Sequence, residues 1–170
     1  MGILNGNPKD EPLHEGEVFG IWSFIICNNG LVSAYQAFHN HAGDKDLKGI
    51  LKEAIRAMKE ENQQASEILK ANGVALPPAL PDRPDANADE IPVGARFMDP
   101  EISAILATNV AQGLVSCSAV LGSAIREDVS MMFGQFHSAK VQFGARLLKL
   151  NKEKAWLIPP PVHVAPSSKQ

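Results

Sequence analysis

Apolar positions recur at helical spacing in four stretches of the chain. In the first, about 13–42, they fall at Val18, Ile21, Trp22, Ile25, Leu31, Val32, Tyr35 and Phe38, in steps mostly of three and four. Asp10 and Pro12 mark its start, Gly43 supplies a stop, and Asp44 is placed to cap the next element. The second stretch, about 45–72, carries the seam Leu47, Leu51, Ala54, Met58, Ala65 and Ile68. Lys48, Lys52, Arg56, Lys59, Glu60 and Glu67 fill its remaining positions, as a solvated face requires. Residues 73–98 then lose the period. Pro77, Pro78, Pro81, Pro84 and Pro92 each remove a donor and disfavour helix at the preceding residue. At ~3.3 Å per residue that segment is long enough to run back along a whole helix rising ~1.5 Å per residue. Asp99-Pro100-Glu101 predicts a fresh helix start, with Asp99 as cap and Pro100 at the first position. This third helix covers about 100–122 and breaks at Gly122-Ser123. A fourth, about 124–154, carries Val129, Met132, Phe133, Phe136, Phe143, Leu147 and Leu150. The segment 155–170 reads as an extended tail whose Trp156 packs back.

Four helices, two short connections and one long crossover predict an all-α, ferritin-like four-helix bundle with a proline-rich crossover between helices 2 and 3. The 170 residues, 1–170, fit one domain, and 45% hydrophobic against 21% charged residues excludes wholesale disorder. A formal charge of −3 disfavours a nucleic-acid partner, which needs a basic face. The first residues lack an apolar signal core, and Gly6 stands where a myristoylation motif needs Ser or Thr. The expectation is a protein made in the cytoplasm. Residues 102–125 carry no charge, which raises a membrane question. Thr108, Asn109, Gln112, Ser116 and Ser118 would make lipid exposure costly, so the expectation is a central helix covered by its neighbours, with no membrane partner.

Six segments resemble one protein family. They are GEVFGIW (16–22), NHAGDKDLK (40–48), ANGVALPP (71–78), IPVGARFMDPEI (91–102), IREDVSMMFGQFH (125–137) and LNKEKAWLIPPP (150–161). The family is a ferritin-like domain of unknown function from spore-forming bacilli, often labelled as spore coat protein. The resemblance covers nearly the whole chain. It implies a sporulation or spore-coat association, with other coat proteins as partners, and brings no established reaction to carry over.

A ferritin-like di-metal site needs a carboxylate from each of two helices and Glu-x-x-His from each of the other two. Here that pattern is degraded throughout. Asn28 and Asn29 sit where the first helix would offer Glu. Glu61 is followed by Gln64 rather than His. Asn109 and Gln112 are the only mid-height polar groups of the third helix that suit the layer. His137 has Gly134 in place of the expected Glu. One carboxylate and one imidazole are too few for two iron ions. Asn28, Asn29, Glu61, Asn109, Gln112 and His137 are therefore expected to form a satisfied polar layer. The alternative is a metal-binding protein or metal-dependent oxidase with a remnant site at Glu61 and His137. A second metal candidate is His39 and His41 beside Asp44 and Asp46, although residues two apart on a helix point in different directions. His14, Glu15 and Glu17 read as ordinary polar residues at a helix start. No phosphate loop, nucleophile elbow or C-x-x-C occurs, and no cofactor is implied. Cys27 and Cys117 lie at different heights, so both are expected to be reduced and buried.

The reading that results is a non-catalytic structural protein. Because residues 18–43 and 102–125 contain no Asp, Glu, Lys or Arg, these two helices need cover on more than one side. The expectation is a symmetric homodimer with the first or third helix at its interface.

Overall fold

The computed structural model describes residues 11–161 and 163; readings that fall on 1–10, 162 and 164–170 lie outside the described residues. Four helices form among them: α1 (Glu15–His41), α2 (Lys45–Ala71), α3 (Asp99–Ser123) and α4 (Glu127–Glu153). There are no strands among these residues, and two single-turn 3-10 helices punctuate the crossover. The helical seams direct the packing as the periodicity requires. Leu47, Leu51, Ala54, Met58 and Ala65 are all buried, and Leu69 joins them with Ile68 half-buried at its edge.

Helices α1 and α2 pair as one antiparallel hairpin and α3 and α4 as another, with closer packing inside each hairpin than between them. The crossover runs along α1 from its start to its end. Trp22 Nε1 donates to the Ala75 carbonyl, Asn29 Nδ2 to Pro78, and Asn40 Nδ2 to Pro84. Gln36 Nε2 donates to Asp82, and Arg83 reaches back to the Ser33 carbonyl. Trp22, Asn29 and Gln36 are seven residues apart, which keeps them on one side of the helix. That side of α1 needs no charges because the crossover's backbone supplies its polar partners. The path brings α3 in beside the start of α2, so α2 and α3 run parallel.

The two hairpins repeat one design. Each connection spans three residues, Ala42–Asp44 and Ala124–Arg126, with Ala42 and Ala124 both extended (φ −62° and −68°). Helix α2 ends in a Schellman turn: Gly73 takes φ 71° while Val74 N–H donates to the Leu69 carbonyl. Helix α4 ends the same way, with Ala155 at φ 58° and Trp156 N–H on the Asn151 carbonyl.

Two sequence-based boundaries shift, for one physical reason. Asp99 is not the α3 cap. It is the first helical residue, Met98 is the cap, and the Asp99 carboxylate accepts from Gly43 N–H and Asp44 N–H at 2.8 and 3.0 Å. Correspondingly, fully buried Glu17 at the start of α1 accepts from Ile125 N–H and Arg126 N–H at 2.8 and 2.9 Å. These bonds hold 124–126 out of α4, which therefore begins at Glu127. Gly43 likewise acts without a left-handed φ; α1 stops because Ala42 turns extended and the next two amides are taken by Asp99.

Candidate functional site

Two apolar clusters fill the bundle, one at each end. Phe24, Phe133 and Phe136 pack together in one, while Tyr35, Leu47, Ile102 and Leu147 belong to the other. Between them lies a polar waist.

At its centre α2 presents Glu61, buried among the other helices. Lys140 of α4 donates to both carboxylate oxygens, at 2.7 and 2.6 Å, and Asn28 of α1 donates to one of them at 3.3 Å. Gly113 on α3 makes this reach possible: a Cβ there would meet Lys140 Cδ at 3.1 Å, so the lysine stem crosses where a side chain would stand. The ammonium also lies 5.4 Å from the centroid of the Phe24 ring. One anion is thus matched by one cation belonging to the same chain.

The other expected members of the layer disperse. Asn109 hydrogen-bonds the Tyr35 hydroxyl; burial raises the Tyr35 pKa and the Asn109 bond tempers that rise. Asn29 accepts from Asn62 at 2.8 Å and ties down the crossover. Gln112 is exposed. His137 is half-buried one turn before Lys140, and the partner that α4 sends to Glu61 is the lysine. The histidine–aspartate candidate also separates. His41 Nδ1 accepts from Phe97 N–H at 3.0 Å. Burial pushes the His39 pKa down, and nearby Lys52 and Lys48 push the same way, an environment equally unfavourable to a metal cation. Asp44 caps α2 by accepting from Asp46 and Leu47 N–H, and Lys154 bridges Asp44 and Asp46 at 2.7 Å each. Among the described residues no three His, Cys, Asp or Glu side chains converge closely enough to hold a metal ion. The donor set does not fit a ferritin-type di-metal centre.

Two hollows flank the waist. One, about 350 Å³, is lined by all four helices beside Glu61 and Lys140, and the ion-paired Glu53 and Arg146 belong to its lining. The other is an open trough of about 680 Å³ between α1 and α3, lined by Phe19, Ser23, Cys27, Gly30, Ser116 and Ala119 among others. Cys117 is buried and its thiol is pushed up to about 11 by desolvation. Cys27, expected to be buried, is exposed in that trough.

Sequence reasoning missed three residues. Lys140 was hidden because a lone lysine on a half-polar helix reads as surface. Glu17 reads as a dipole-favoured acid, and its i, i+3 relation to His14 was the available signal. Its Oε2 accepts from His14 N–H while His14 Nδ1 accepts from Gly16 and Glu17 N–H, a capping box with histidine as cap. His14 Nε2 consequently carries the proton and donates to the Ser123 carbonyl at 3.0 Å. Arg126, also buried, fans out to Asp128, the Glu11 carbonyl and Asn72.

Fold and waist together define an all-helical, crossover-connected four-helix bundle whose core carboxylate is neutralised by a lysine. The chain belongs to the DUF3231 family of proteins of unknown function, whose signature matches residues 1–168. It is 56% identical over 164 residues to the uncharacterized protein YvdQ of Bacillus subtilis, covering 96% of each chain. It is also similar to a solved structure from Bacillus halodurans described as a "putative spore coat protein". That similarity has 62% identity and a TM-score of 0.92, and covers 94% of this chain and all of the other.

Proposed function

We propose that this protein is a non-catalytic structural component, made in the cytoplasm during sporulation and incorporated into the spore coat alongside other coat proteins. The observation that carries the non-catalytic half is Lys140 on Glu61. Carboxylate bundles recruit divalent cations because several buried anions need compensation. Here the single waist carboxylate already has an internal cation, and Asn28 completes its hydrogen bonding. The coat half is supported by likeness to the B. halodurans protein and its description. A metal-dependent oxidase would need several ligand side chains converging on its metal, and no group of three His, Cys, Asp or Glu side chains does so among the described residues.

Elemental analysis after expression in iron- and manganese-supplemented medium tests the first half. The expected outcome is metal well below one equivalent per chain; stoichiometric iron or manganese would overturn the reading. Fractionation of mature spores tests the second. The protein is expected in the coat extract, and its confinement to the mother-cell soluble fraction would refute the coat assignment.

A further inference from the structure

The flank formed by α1 and α3 is the least finished part of the molecule. The most apolar 18 residues of the stretch that ends in α3 are 17% buried, against 39% for the corresponding 18 residues of α1. Exposed positions of α3 between 104 and 122 are Ala, Thr, Gln, Val, Ser and Gly, without one charge. On α1 the same flank exposes Phe19 (72%) and Cys27. The crossover covers the opposite side of α1, and the Trp156 side chain packs into the far apolar cluster, so neither closes this flank.

We propose that this flank is the interface of a two-fold symmetric homodimer, a second copy of the chain being its occupant. Three observations favour a copy over other partners. The first is area. Two helices about 40 Å long and about 10 Å wide offer roughly 800 Å², which is about what one side of a standard stable interface buries. The second is charge. The molecule is acidic overall, yet this flank is neutral, so two copies meet without like-charge contact, and a charged partner would find nothing to pair with. The third is shape. A two-fold contact needs knob and hole on one surface, and here Phe19, 72% exposed, lines one end of a trough while Gly30, with open space where a Cβ would stand, lines it toward the other. A two-fold axis near mid-trough sets each Phe19 into the far end of its partner's trough and buries both Cys27 thiols. The inference stands independently of the coat assignment.

The test uses the full chain, light scattering across micromolar concentrations, and alkylation of Cys27. Wild type is expected at twice the chain mass of 18.3 kDa, with Cys27 alkylated at least about tenfold more slowly than in a dissociated chain. Phe19→Ala and Ser116→Arg change exposed positions and should leave helicity unchanged. Each is expected to return the mass to 18.3 kDa and release Cys27. A wild-type chain that stays at 18.3 kDa with Cys27 freely alkylated would overturn the proposal. So would a dimer that survives both substitutions. Co-sedimentation of the wild type with phosphatidylglycerol vesicles would also overturn it, because lipid would then be the occupant.

Discussion

Glu61 and Lys140 form a pair whose two halves are worth very different amounts separately and together. Replacing Lys140 with Met keeps the stem against Gly113 and removes the charge, leaving the buried Glu61 carboxylate with Asn28 alone. Loss of one partner from a buried pair costs about 3 kcal/mol, and urea denaturation should show that loss. Replacing both, Glu61→Gln with Lys140→Met, is expected to return stability to within ~1 kcal/mol of wild type, since no charge is left buried and the glutamine oxygen still accepts from Asn28. A double variant as unstable as the single would show that the waist depends on the charges themselves. At this scale the sequence was only half legible. Glu61 and Asn28 stand out because polar residues interrupt apolar seams. Lys140 does not, because its burial depends on α3 having no side chain at Gly113, a fact about a different helix.

The helices were legible as elements because each seam is a local periodicity, whereas their ends depend on distant partners. Asp44 was readable as a cap from its position after Gly43, but its partner Lys154 was not. The hydrogen bond from Lys154 and the backbone amides of the cap hold the Asp44 pKa below its ordinary value. The folded-state pKa is therefore below the unfolded one. The charged form contributes stability above the ordinary Asp range near ~3.9, and loses it as pH falls through that range to the folded value. Asp44→Asn keeps a good cap and removes the charge. Thermal melts should place the variant below wild type at neutral pH, with the gap closing as the solution is acidified toward pH ~3. Immediately after Lys154, at the same end of α4, Ala155 occupies the left-handed position that Gly73 fills for α2. Ala155→Gly should raise stability by about 1 kcal/mol, because only glycine takes that conformation without a Cβ clash. A drop in denaturation midpoint would show that the methyl group makes a contact outweighing the strain.

Across the whole molecule, connectivity was the most legible property. A proline-rich segment long enough to retrace a helix dictates that α2 and α3 run parallel, and α1's evenly spaced Trp22, Asn29 and Gln36 receive it. What no local pattern announces is the exchange of carboxylates. Asp99 of the second hairpin closes the turn of the first, and Glu17 of the first closes the turn of the second. Neither half can complete its own corner. Cutting the chain in the exposed stretch at Ala86–Asn87 should therefore yield two pieces that are each poorly helical alone. Mixing them should restore the full far-ultraviolet circular dichroism signal in proportion to the scarcer piece, whereas an independently folded half would rule out this dependence. If the pieces do depend on each other, the protein is a natural split pair: a reporter whose signal requires that two separately made fragments meet.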